Sequence, residues 1–252
     1  MIVKIRTEAC ARLSAMDASA LAAAYGPICI VVALVAIART LHWELFTRYL
    51  RITYENAPAW TFIFFGCMAL IMGVLLPSYI HALFAQVSFI GYLTLAFLFT
   101  VVFPSIYHWL ALGGGAPKWF IAQSPDEPIL TLGERFILAK VADVAMQEIA
   151  AGVIILRLSE NGLSYPLIVL VSIVVFALAH AYIFTTSGFF WGLYYTSYAA
   201  LAGFAVPFLI LFVPGGIAYA LVLHMLFYVI SAAFFAKFPR PTEHTHHDIL
   251  VA

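Results

Sequence analysis

Three titratable side chains lie where a chain this apolar does not ordinarily keep them. Glu148 falls inside KVADVAMQEIAAGVIILRL (Lys140–Leu158), His180 inside VFALAHAYIF, and His224 inside ALVLHMLFYV. An ionised carboxylate at the centre of a membrane helix costs about 2.5–3.5 kcal/mol on the insertion scale. A chain that retains one usually faces it inward and uses it. One carboxyl group and two imidazoles form an acid/base set. The carboxylate can draw a proton from water, and an imidazole can stabilise or protonate the oxyanion that follows. On a helix, residues four apart share a face. Asp143 and Gln147 therefore stack, and Val144, Glu148 and Gly152 form the adjacent stripe. Ala145, Ala151 and Gly152 are small and allow a neighbouring helix to approach closely.

The same residues have structural roles open to them. Glu148 can hydrogen-bond two helices together, Asp143 can pair with Lys140, and His180 and His224 can be satisfied core histidines. His81 and His108 fall close to span ends and read as interfacial. His244, His246 and His247 resemble a metal tract but read as part of a solvated tail. Arg157, near the end of its span, is expected to snorkel to headgroups.

The elements that must position these groups are membrane helices. Of the 252 residues, 65% are hydrophobic and 10% charged, against about a quarter charged in soluble domains, and the mean hydropathy is +1.03. The formal net charge is zero, which removes the basic surface a nucleic-acid binder needs. Cys10, Cys29 and Cys67 are scattered and form no CxxC pair, so neither a disulfide framework nor a zinc site is expected. Lys4, Arg6 and Arg12 precede the run Ala18–Ala38, which is long enough to span and lacks a small-x-small cleavage site, so it is expected to be an anchor and not a cleaved leader.

Runs of about 20 apolar residues give seven expected spans: Ala18–Ala38, Trp60–Leu83, Val87–Leu112, Glu134–Leu158, Pro166–Thr185, Phe189–Phe212 and Ile217–Phe235. Within RTLHWELFTRYLRITYENAPA (39–59), Trp43, Phe46, Leu50 and Tyr54 share one helical face and Glu44, Arg48, Arg51 and Glu55 the other. That pattern predicts an amphipathic helix lying in the interface. Residues 113–134 read as a loop, TSG (186–188) and VPGG (213–216) as turns, and 237–252 as a polar, disordered tail. The expectation is an all-α, polytopic membrane bundle in one domain spanning residues 1–252, with no internal repeat. Lys and Arg favour the side bearing residues 39–59, the Gly113–Lys140 region and the tail. That side is expected to be the cytoplasm of a bacterial inner membrane, with the C-terminus in it.

Order and spacing resemble a known family. QEIAAG (Gln147–Gly152), FALAH (Phe176–His180) and HMLFY (His224–Tyr228) follow one another at 33 and 44 residues, counted from Gln147 to His180 and from there to His224. They are similar to the three motifs of the CAAX prenyl endopeptidase and bacteriocin-processing (CPBP, or ABI) family: EExxxR, FxxxH, and Hxxx followed by Asn or Asp. GGIAYALVLHMLFYVI also resembles that family's approach to its last histidine. The likeness covers about Lys140–Phe235. It implies a divergent intramembrane endopeptidase without an obligatory metal or other cofactor. Glu148, His180, His224 and Gln147 would be catalytic, and Phe176, Tyr228 and Asp143 would support them. The chain departs from the pattern at Gln147, where the family has its first glutamate, at Gly152, where it has arginine, and at Tyr228.

Three functions are consistent with these residues. One is hydrolysis of a membrane-associated or lipidated peptide by the Glu148–histidine set. A second is a pseudoenzyme that keeps the bundle as a scaffold for a membrane protein partner. A third is a haem or metal protein with His180 and His224 as ligands. Membrane lipids surround the chain in all three.

Overall fold

A bilayer offers the backbone no hydrogen-bond partner, so apolar runs of this length fold as helices. A computed structural model describes residues 18–52, 54, 57–103, 105–106, 134–186 and 189–235, and all regular structure among them is helical. The elements are α1 (Ala18–Thr40), which continues as a π-helix over Leu41–Tyr49; α2 (Pro58–Leu75); α3 (Pro77–Phe84); α4 (Phe89–Phe97), extended as a π-helix over Leu98–Val102; α5 (Glu134–Glu160); α6 (Tyr165–His180); α7 (Ile183–Thr186); α8 (Phe189–Phe212); and α9 (Gly216–Phe235). His108, the residue 113–133 loop, most of the TSG turn and the tail from residue 236 lie outside the described residues.

Four stretches are long and apolar enough to cross a membrane: Ser19–Tyr49, Pro58–Leu75, Tyr165–Thr185 and Trp191–Phe212. The pair α3 and α4 makes a fifth if counted as one span, but it is bent by 89°. Seven spans were expected from composition. Pro77 breaks the second expected span after Leu75 and starts α3 as a separate helix. The α5 helix does not meet the criterion because it carries its charges with it.

The protein is built around α5. It packs against α1, α2, α3, α6, α8 and α9, and between Ala139 and Leu158 nearly every residue is buried or half-buried. Charged groups can stay in this helix because other helices, not lipid, surround it. Its C-terminus is closed by Gly162 at φ +77°. The Gly162 amide donates to Ser159 O and the Leu163 amide to Leu158 O, at 2.9 and 3.1 Å, the paired closure that a left-handed glycine permits. Elsewhere large side chains such as Trp60, Leu70, Phe89, Leu178 and Phe189 are exposed, the lipid-facing surface expected of such a bundle.

Two close approaches set the helix spacing. A Cβ on Gly203 of α8 would lie 2.6 Å from the Ile173 Cα of α6, so only glycine allows these backbones to meet. Gly152, on the small face of α5, receives Leu83 of α3: a Cβ there would lie 2.6 Å from Leu83 Cδ2.

The stretch expected as a separate interfacial helix is instead the continuation of α1. The His42 ring lies 5.0 Å from Phe65 and Phe46 lies 4.8 Å from Phe64, so these aromatic groups pack on α2. Arg51 then takes a left-handed φ of 54°, and the chain turns back to bury Tyr54.

Arg157 does not simply snorkel. Pro27 has no amide hydrogen, so it leaves the carbonyl four residues earlier, Ala23, without its helical donor. Arg157 donates Nη2 to Ala23 O and Nε to Ala24 O at 2.9 Å, and Asn161 Nδ2 also reaches Ala24 O at 2.9 Å. Arg157 Nη1 pairs with Glu160 at 2.7 Å. The carbonyls around the Pro27 gap in α1 are thus capped by the end of α5.

Candidate functional site

The contacts of Arg157 with Ala23 and Ala24 at one end and of Asp143 with Arg39 at the other make α1 and α5 antiparallel. From Asp143 to Arg157, α5 rises about 21 Å at about 1.5 Å per residue. Glu148 lies about 7.5 Å below Asp143 on the same scale. The chemistry is therefore concentrated toward one end of the bundle.

At that end Asp143 is fully buried and receives four donors. Arg39 Nη2 donates to Oδ1 at 2.7 Å, Lys140 Nζ to Oδ2 at 2.7 Å, the Tyr54 hydroxyl to Oδ2 at 2.9 Å and Gln147 Nε2 to Oδ1 at 2.9 Å. The Lys140 ammonium also lies 4.4 Å from the Tyr54 ring centroid and 5.1 Å from that of Tyr228, positions in which a cation is attracted to the ring face. A carboxylate between two cations offsets much of the desolvation cost that each charge would carry alone. His42 packs against Tyr54 at 4.9 Å, buried, with Nε2 unpartnered.

Deeper in, Glu148 and His224 meet across α5 and α9. Glu148 Oε1 lies 2.7 Å from His224 Nδ1. Glu148 Oε2 is buried and has no hydrogen-bond partner. The Tyr228 ring, one turn along α9, lies nearly parallel to the His224 imidazole, with centroids 5.7 Å apart and planes at 10°. Lys140, Tyr228, His224 and Glu148 thus form a continuous chain of contacts that joins the Asp143 cluster to the buried glutamate.

His180 ends α6, and its Nδ1 lies 2.9 Å from the Phe176 carbonyl. A carbonyl only accepts, so Nδ1 carries the proton in this contact and the lone pair of a neutral ring is on Nε2. The Phe176–His180 spacing therefore acts through the backbone oxygen of Phe176. His180 is within electrostatic reach of Arg39, Lys140 and His224. Among the described residues no three His, Cys, Asp or Glu side chains come together as a metal-ligand set. His224 has committed Nδ1 to Glu148, which leaves the paired-histidine cofactor arrangement with one nitrogen per ring.

The site residues read from the sequence divide into two groups. Glu148 and His224 are brought into contact, with Tyr228 stacked on the histidine. Gln147 donates to Asp143, one helical turn earlier on α5, at 2.9 Å. Arg39, Tyr54 and His42 were not among the candidates. In the sequence Arg39 only adds to the positive charge of residues 39–59, and Tyr54 belongs to the apolar face of that stretch. The available signal was a lone cation closing one apolar run and a lone carboxylate inside another. His81 is exposed on α3, apart from these groups.

Comparison with protein-family models, curated proteins and solved structures finds no match to this chain.

Proposed function

We propose that this is an intramembrane hydrolase of the kind its motifs resemble, a divergent CPBP-like glutamate/histidine endopeptidase acting on a membrane-associated or lipidated peptide. The observation that carries the reading is the Glu148–His224 pair: a buried carboxylate 2.7 Å from an imidazole, on two helices separated by 76 residues of chain. A carboxylate that orients a histidine is the recurring core of water- and hydroxyl-activating sites. His180, within electrostatic reach of Arg39, supplies a second imidazole for the oxyanion or the leaving group. The family's arginine position holds Gly152, filled by Leu83. Arg39 and Lys140 supply the local positive charge instead.

Arg39, Arg48, Arg51 and Lys140 lie toward the end of the bundle nearest the pair, and Arg157 at the other. The positive-inside tendency supports placing that end in the cytoplasm. The C-terminal half of α9, which carries Tyr228 next to Lys140, runs toward the same side. A bacterial plasma membrane suits this arrangement.

The test is cleavage of quenched fluorescent acylated peptides by the purified protein in proteoliposomes. Product should form with the natural chain and vanish in Glu148→Ala and His224→Ala. No cleavage by a folded protein that instead retains one stoichiometric membrane partner would overturn the hydrolase reading in favour of a scaffold.

A further inference from the structure

We propose that His224, through Nε2, is the base that takes the proton from the attacking water, and that Glu148 is the positioning residue that presents it. The assignment rests on the hydrolase reading. Glu148 Oε1 is held by His224 Nδ1, and Oε2 is buried without a hydrogen-bond partner. The Glu148 side chain is 5% exposed and that of His224 18%, so the imidazole is the more accessible partner of the pair. A carboxylate accepts, so Nδ1 carries the proton and Nε2 the lone pair. The Tyr228 ring, parallel at 5.7 Å, fixes the imidazole plane from one side, and Glu148 fixes its rotation at the edge. Lys140 in turn lies 5.1 Å from the Tyr228 centroid, which ties this wall to the Asp143 cluster.

The step balances within the groups named. Water oxygen bonds to the scissile carbonyl carbon as one water proton passes to His224 Nε2. The resulting imidazolium is stabilised by the Glu148 carboxylate at Nδ1. The carbon–nitrogen bond then breaks, and the proton on Nε2 passes to the leaving amine. The products are the free acid and the amine, and His224 is again neutral with its proton on Nδ1.

The experiment has two readouts on the full chain. Nitrogen-15 spectra of histidine-labelled protein in detergent micelles, with His224 assigned by its absence in His224→Gln, report the tautomer without any substrate. The expected result is Nδ1 protonated and Nε2 bare. Glu148→Gln should keep that state, because an amide oxygen still accepts, and Glu148→Leu should release it. A natural protein with the proton on Nε2 overturns the proposal. The second readout is hydrolysis of the acylated fluorescent peptides. Glu148→Gln should lose about 10²–10⁴-fold yet stay above His224→Gln by about 10-fold or more, the ranking of an orienting carboxylate below its base. The reverse ranking overturns the base assignment. No cleavage by the natural chain with the expected tautomer intact refutes the hydrolase reading while leaving the Glu148–His224 geometry standing.

Discussion

Removal of Asp143 tests the most heavily connected charge in the bundle. Asp143→Ala would leave Arg39 and Lys140 facing each other without the anion that now binds both at 2.7 Å. Breaking a buried ion pair by deleting one partner typically costs about 3–5 kcal/mol. Two features pull the value toward the lower end. The Arg39 side chain is 28% exposed and can swing toward solvent along its own stem. Lys140 keeps the faces of Tyr54 and Tyr228, each worth roughly 0.5–2 kcal/mol to a desolvated cation. A loss of about 3 kcal/mol is expected. Lys140→Met fills similar space without charge, so the double variant should recover about 1–2 kcal/mol of that loss through coupling. Unfolding by graded SDS in mixed micelles, followed by far-ultraviolet circular dichroism, measures both. A loss below about 1 kcal/mol in Asp143→Ala, or a double variant no better than the single, would show that the cluster does not hold these helices together.

Three further outcomes follow from the same geometry. Gly152→Leu should cost about 1–3 kcal/mol by overpacking against Leu83, with Leu83→Ala in the same chain restoring part of it in the SDS titration; a neutral Gly152→Leu would contradict the close contact. Arg157→Ala should cost about 1–2 kcal/mol through its hydrogen bonds to the α1 carbonyls, and clearly less in a Pro27→Ala background, where the restored amide can reach Ala23; equal costs in both backgrounds would remove the capping role. Gln147→Glu, which restores the motif glutamate, should not raise peptide cleavage, because that side chain meets Asp143 at 2.9 Å. The substitution exchanges the Nε2 donor on Asp143 for a second carboxylate beside the Arg39 and Lys140 charges, and a gain in cleavage rate would refute the placement of Gln147.

How much of this was legible in the sequence depends on the range of the signal. The helical pieces were visible because apolar run length and turn residues act locally: the expected Phe189–Phe212 span and the VPGG turn coincide with α8 and the Gly215 turn. Helix breaks were harder. Pro77 reads as tolerable inside a long apolar run, yet with Leu76 out of helical conformation at its N-terminal flank it starts a new helix. The four-residue stacking of Asp143 on Gln147 was readable from helix periodicity. Its pairing with Arg39, 104 residues away, was not, because amphipathic patterning states which residues leave the lipid face but not which face they meet. The stretch from Arg39 to Tyr54 shows the cost. Its charge alternation suits an interface, and only the contacts of His42, Phe46 and Tyr54 with α2 and α5 reveal a packed helix followed by a buried return.

The two polar groups of the bundle are best understood through their charge. The Asp143 cluster holds two cations and one carboxylate, which leaves a surplus positive charge beside buried groups, with Arg39 partly exposed. Such a surplus is costly inside a membrane unless an anion lies close by. Glu148 is the nearest carboxylate along the contact chain from Lys140 through Tyr228 to His224. Glu148 Oε1 lies 2.7 Å from His224 Nδ1, a contact that sets the orientation of the ring. In a neutral ring the same contact leaves the lone pair on His224 Nε2, since Glu148 already holds the proton side of the ring. The carboxylate nearest the surplus charge and the tautomer that a base requires are therefore tied to one contact. Substitutions at Asp143 or Lys140 should accordingly be felt at His224 although neither residue touches it.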